Sequence, residues 1–181
     1  MLQTLKNAWR TKDIRNKILF TMLIILLYRI GTVIPVPFVD AHDFAGSFSG
    51  TILDYLNLLS GDALGRATLF ALGVSPYITS SIVMQLLTVA LPPLERLAKQ
   101  GDEGRKKITA LTRLVTVGLA LVTAIGYAMY LNANGFLVAK MTWFSGAVIV
   151  ACYCAGAALV MWLAEKINEH GIGNGISIIL F

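Results

Sequence analysis

Four apolar runs, Ile18 to Ile34, Val74 to Leu91, Leu114 to Leu131 and Phe144 to Ala164, constrain this chain more than any other feature of its sequence. Each approaches the ~20 residues that a helix needs to cross a bilayer. Composition agrees: of 181 residues, 56% are hydrophobic and 14% charged, with a mean hydropathy of +0.71. A soluble domain carries about 25% charged residues. These values exclude a disordered segment, a collagen-like repeat and a small disulfide scaffold, and argue against an ordinary soluble enzyme. A last run, Ile176 to Phe181, is too short to span. A partial helix in lipid would leave backbone groups unpaired, so the expectation is a piece of a longer chain.

The charges alternate along the sequence. Lys6, Arg10, Lys12, Arg15 and Lys17 precede the first run, and Arg96, Lys99, Arg105, Lys106, Lys107 and Arg113 fill 92–113. The stretches 35–73, 132–143 and 165–175 hold one each: Arg66, Lys140 and Lys166. By the positive-inside rule the N-terminus and the 92–113 loop are cytoplasmic, and 35–73 and 132–143 face outward. The net charge of +5 is thus mostly a topology signal. A basic cytoplasmic loop also suits a ribosome or another acidic partner. The first run, with its basic flank, is similar to a signal peptide. However, Pro35 and Pro37 follow it in place of a small-x-small cleavage site, which predicts an uncleaved first span. Arg29 lies near its outer end and can snorkel to the interface.

The stretch Asp54 to Leu91 does not read as a plain span. Asp62 after Gly61 predicts a cap for a short helix over Ala63–Leu72, ended by Gly73. Asp62 and Arg66, four apart, can pair on it. Ser75 then caps a second helix that Pro76 opens and that Pro92 and Pro93 stop. Discontinuous helices mark transport paths. A surface helix in an outer loop followed by an ordinary span fits as well, and both readings stay open here. In the second helix Ile78 and Ile82 share a face. Ser75, Thr79, Ser80, Ser81, Gln85 and Thr88 make it polar for lipid. Hydroxyls can bond their own backbone, whereas Gln85 should face protein or water. Such a helix fits the wall of a wet cavity beside a hydrophobic constriction, or a tight bundle interior.

The remaining features read as structural. Gly146, Ala147, Ala151, Cys152, Ala155, Gly156 and Ala158 let helices approach closely. Cys152 and Cys154 point about 200° apart on a helix, so they cannot bridge each other and read as small packing residues. Gly171, Gly173 and Gly175 lack the strand and spacing of a dinucleotide fingerprint and predict a hinge over 165–175. His42 and His170 fall in loops on opposite sides of the membrane, so neither a metal site nor an intramembrane catalytic set is expected, and no cofactor is implied.

Three stretches together, RIGTVIPVPFVD at Arg29–Asp40, GRATLFALGVSPYITSSIVMQLL at Gly65–Leu87 and EKINEHGIGNGISIILF at Glu165–Phe181, resemble the SecY family, the central subunits of bacterial protein-conducting channels. The resemblance covers the whole chain. It implies an all-α polytopic membrane protein, the N-terminal half of a ten-helix, inverted-repeat, clamshell-like bundle. The spans would be 18–34, 74–91, 114–131 and 144–164, with the start of a fifth at 176–181. The short helix over about 54–73 would be the plug, with Asp54, Leu56, Leu59, Gly61, Asp62, Leu64, Arg66, Phe70 and Leu72. Ile78 and Ile82 would belong to the pore ring. Ser81, Val83 and Gln85 would line the lateral gate, and Arg105, Lys106 and Lys107 would meet a cytoplasmic partner. The implied partners are the SecE and SecG subunits, the SecA ATPase or a ribosome, signal sequences, nascent secretory chains and lipid, with nucleic acid only as ribosomal RNA. The implied location is the bacterial inner membrane, with a cytoplasmic N-terminus. The alternative is the N-terminal half of a secondary transporter with a broken helix, which would want an intramembrane acid or base near the midplane.

Overall fold

A computed structural model of the chain describes residues 11–40, 52–138 and 142–180. His42, Lys140, Lys6, Arg10, Phe181 and the side chains of Leu56 and Leu59 lie outside the described residues. Among the described residues seven helices follow in order: α1 (Lys12–Gly31), α2 (Ile52–Leu59), α3 (Ser75–Ala90), α4 (Pro92–Lys99), α5 (Asp102–Ala133), α6 (Trp143–His170) and α7 (Gly175–Leu180). No strand forms among the described residues. Two isolated antiparallel bridges, Pro35 to Thr68 and Val39 to Leu137, tie loops to the bundle.

α5 and α6 are each long and apolar enough to cross a membrane. α3 and α4 pass the same test only as a pair, bent by 98°. The bend has a cause in the sequence. Leu91 is extended, and Pro92 begins a new helix because it can donate no hydrogen bond to the old one. The 92–113 stretch is therefore mostly helical, where a loop is expected. α6 likewise continues through Glu165 to His170, so the predicted hinge shrinks to the four residues Gly171–Asn174.

The bundle is apolar outward. On α1, Met22, Leu23, Leu26 and Leu27 are exposed, while Thr21, Ile24, Tyr28 and Gly31 are buried. On α5, Leu114, Val122 and Met129 point out, while Thr112, Thr116, Ala120, Ala124 and Ala128 form an inward stripe at four-residue spacing. Small inward residues let helices pack closely, and large outward ones match lipid. α5 packs on α6 and on α3. Ser80 on α3 and Thr116 on α5 share a short hydroxyl–hydroxyl hydrogen bond, both fully buried. α6 lies at the centre. One core gathers Tyr153, Ile149, Ala128 and Leu131, and a second gathers Val160, Leu163, Ile167, Ile24 and Tyr28.

Candidate functional site: a buried turn segment beside α3

The helix expected over Ala63–Leu72 is absent. The helix in this region is α2, Ile52–Leu59, and residues 60–74 run as successive turns. Two left-handed residues in succession, Gly61 at φ 64° and Asp62 at φ 69°, reverse the chain, and Ala67 at φ 47° prevents a helix from re-forming. Asp62 and Arg66 do approach, at 3.8 Å, but on an exposed turn.

This segment is buried at the centre of the bundle. Ala63, Leu64, Ala67, Thr68, Phe70, Ala71 and Val74 are all less than a tenth exposed. Irregular backbone can be buried only if its polar groups find partners. Here many of them do. The Val36 amide donates to the Ala67 carbonyl at 3.2 Å, and the Leu69 amide donates to the Ile34 carbonyl at 2.9 Å. Tyr127 donates its hydroxyl to the Leu64 carbonyl at 2.8 Å, and Tyr153 reaches the Ala67 carbonyl at 3.5 Å. The Gly65 amide donates to Asn57 Oδ1 at 2.7 Å, and Thr68 Oγ1 to the Ala63 carbonyl at 3.1 Å. Shape is satisfied by two glycines. A Cβ on Gly156 would collide with the Leu69 carbonyl, and one on Gly31 with the Phe70 ring, which also stacks on Tyr28 at 5.5 Å. Thus Gly156, expected to let helices approach, admits the turn segment instead.

α3 begins where the turns end. Its N-cap is Val74, without a side-chain cap bond, so the expected Ser75 cap moves into the first turn beside Pro76. Three hydroxyls bond back to their own helix as expected: Thr79 to the Ser75 carbonyl, Ser80 to Tyr77 and Thr88 to Met84. Pro76, Ser80 and Met84 face the bundle. Ile78 is half-buried and packs beside the second core. It borders a cavity of about 250 Å³ with Tyr28 of α1, Ser60, Leu64 and Leu72 of the turn segment, and Leu180 of α7. One turn later Ile82 is half exposed. Val83 and Gln85 are exposed, with Gln85 Nε2 3.4 Å from Ser81 Oγ. The structure therefore brings Ile78, Leu64 and Leu72 around one space and places Ile82, Ser81, Val83 and Gln85 on the outer side of α3.

Two features escaped the sequence reading. Asn57, nearly buried, clasps the reversal by donating to Asp62 Oδ1 at 2.7 Å while accepting from Gly65. Arg113 of α5 holds Glu165 of α6 through Nε to Oε1 at 2.9 Å and Nη2 to Oε2 at 2.7 Å. Nothing in sequence spacing links residues 52 apart. Arg105, Lys106 and Lys107 stand exposed in the first turns of α5.

Comparison with known proteins places these features in a family. The SecY family model matches residues 68–181. The protein translocase subunit SecY of Bacillus subtilis (strain 168) is 42% identical over 184 residues, covering 100% of this chain and 43% of that protein. The same subunit from Staphylococcus aureus (strain NCTC 8325 / PS 47) is 43% identical over 187 residues, with the same coverage. The chain thus spans less than half the length of these curated relatives. Among solved structures, Sec61 in a canine ribosome-channel complex from the endoplasmic reticulum matches with a TM-score of 0.66 at 22% identity. That match covers 92% of this chain and 35% of Sec61. A protein-conducting channel matches at 0.65, also at 22% identity, with the same coverage. At that identity the likeness is one of fold, and it agrees with the partial helical bundle described above. On the match over residues 68–181, the chain belongs to the SecY family.

Proposed function

We propose that this chain supplies the N-terminal half of a membrane channel that passes unfolded secretory polypeptides and releases transmembrane segments sideways into lipid. One observation carries the reading: a non-helical segment, residues 60–74, mostly buried and hydrogen-bonded to α5, α6 and the 34–36 loop, leads directly into α3. Ile78 and Ile82 provide this half's share of an aliphatic constriction, which is narrow and dewetted and resists ions and water. An unfolded chain passes because such a ring offers no specific bonds. α2 and the turn segment serve as the plug, with Asp54, Leu56, Leu59, Gly61, Asp62, Leu64, Arg66, Phe70 and Leu72. Half-buried Ser81 and exposed Val83 and Gln85 suit a gate-lining surface that the other half of a complete channel would cover.

Signal sequences open the gate by competing for helix–helix contacts, a matter of differential binding to two states. The reading needs no catalytic group. A partner supplies the work, a SecA-type ATPase or a translating ribosome, with SecE- and SecG-type subunits in the membrane. Arg105, Lys106 and Lys107 fit an acidic or RNA surface of such a partner. The chain sits in the bacterial inner membrane with its N-terminus in the cytoplasm, as its lysines and arginines direct. A transporter is not favoured. The one buried carboxylate among the described residues, Glu165, is already held by Arg113.

The test is a crosslink in the complete polypeptide, with Cys152 and Cys154 replaced. Ile78→Cys or Ile82→Cys should form a disulfide with a single cysteine in a stalled secretory protein. The bond should vanish when that protein lacks its signal sequence. Unreactive thiols during active transport would make both isoleucines ordinary bundle core.

A further inference from the structure

The two seams of α5 are built differently. On its α6 side Arg113 holds the buried Glu165 carboxylate. Parting those helices would leave a buried charge without its partner, which is strongly unfavourable. On its α3 side the buried hydroxyls of Ser80 and Thr116 bond each other. Each of these hydroxyls also has an acceptor on its own helix: the Tyr77 carbonyl for Ser80 at 3.1 Å, and the Thr112 carbonyl for Thr116 at 2.7 Å. A hydroxyl carries one proton, so the pair shares its protons among these bonds while the helices touch. When the helices part, each proton returns to the carbonyl on its own helix. The seam therefore opens without the penalty of an orphaned buried donor.

Other features of α3 point the same way. Near its N-terminal end the seam is incompletely filled: Ser75, Pro76 and Thr79 of α3 and Leu119 and Thr123 of α5 line a cavity of about 130 Å³. Thr79 and Thr123 also donate to their own helices, to the Ser75 and Leu119 carbonyls. α3 is a rod between two breaks, Gly73 at φ 53° before it and extended Leu91 with Pro92 after it. Such junctions absorb backbone rotation. Beyond its first turn α3 buries only Ser80 and Met84.

We propose that the α3–α5 seam is a releasable joint: α3 parts from α5 when an apolar helical segment enters, and the Ser80–Thr116 bond determines how apolar that segment must be. This rests on the channel reading above and deepens it. An entering segment shifts the joint only by its differential affinity for the parted state, and the hydroxyl bond sets the threshold. Hydrogen bonds between helices in membranes contribute modestly, so losing this one should favour the parted state about 3-fold, and at most ~20-fold. A weakly apolar segment gains from such a shift, whereas a strongly apolar one opens the joint in either case.

The test uses the complete channel polypeptide in its native membrane, with Cys152 and Cys154 replaced. Two secretory proteins are compared that differ only in how apolar the signal sequence is. Ser80→Ala and Thr116→Val each remove the joint and leave the other hydroxyl with its own carbonyl. Each should raise transport of the weak-signal protein by the factor above and leave the strong-signal protein unchanged. The double variant should add nothing further. Thr116→Ser keeps the hydroxyl and should transport as the unaltered channel does. Ser80→Cys with Thr116→Cys places two thiols where the hydroxyls meet. Oxidation should stop transport of both proteins, and reduction should restore it. A purely structural bond would instead lower the unfolding temperature and reduce both transports alike. That result, additive gains, failure of the thiols to oxidise, or transport through the oxidised channel would each overturn the joint. The unaltered channel separates the two readings: if it moves neither secretory protein, the channel reading itself falls, and if it moves the strong-signal protein alone while the variants gain nothing, only the joint does.

Discussion

The hydroxyl of Tyr127, in the last two turns of α5, donates to the carbonyl of Leu64, 63 residues earlier in the chain, at 2.8 Å. That carbonyl belongs to a buried, non-helical segment and also accepts from the Ala67 amide at 3.0 Å. Tyr127→Phe keeps the ring and its edge contact with Tyr153 at 5.1 Å, and removes only the bond. Losing one of the two bonds to this carbonyl costs about 0.5–1.5 kcal/mol. The expected outcome is a lower thermal unfolding temperature of the complete protein in detergent. An unchanged midpoint would mean that water replaces the hydroxyl.

The Arg113–Glu165 pair makes a sharper prediction. Glu165 is 8% exposed, while the Arg113 side chain is 48% exposed. Removing the arginine leaves a buried carboxylate uncompensated, so Arg113→Met should cost on the order of 2–3 kcal/mol after allowance for the wet side of the pair. Arg113→Met with Glu165→Gln should recover most of the loss. A double-mutant cycle on unfolding midpoints checks this, and additive losses would show that the two bonds contribute little as a unit.

Two glycines on neighbouring helices should respond oppositely to the same added methyl group. At Gly156 a Cβ would meet the Leu69 backbone, while at Gly118 nothing lies within 4 Å. Gly156→Ala should therefore destabilise by about 1–3 kcal/mol through overpacking. Gly118→Ala should be neutral or stabilise by about 0.5–1 kcal/mol, because alanine loses less freedom in a helix. Protease resistance of the two variants in membranes gives the comparison. Equal behaviour would deny that the turn segment rests on α6.

Much of the framework was legible because it depends on local rules. Apolar runs became α5 and α6, Gly73 and Pro76 mark the boundary of α3, and Pro92 turns the chain. The hydroxyls of α3 bond to their own helix as their type and spacing suggest. The sequence predicts a helix over Ala63–Leu72 because the partners that favour turns there are remote. Ala63 to Leu72 has helical composition, and only Tyr127, Tyr153, Ile34 and Val36 make a turn conformation affordable in the interior. The same reason hides Ser80 with Thr116, 36 residues apart, and Arg113 with Glu165. Spacing within one helix reports faces, whereas a pairing between helices depends on how they are laid together.

The threonine and alanine stripe on α5 has a consequence for anyone engineering this chain. Residues 112, 116, 120, 124 and 128 act as a ruler that fixes how near α3 and α6 come. Rules learned from water-soluble proteins would enlarge such residues to gain greasy contact, and would widen the gauge along the whole helix. The profitable substitutions lie elsewhere, on the outward leucines and valines, where the surrounding lipid is indifferent to which large side chain it meets.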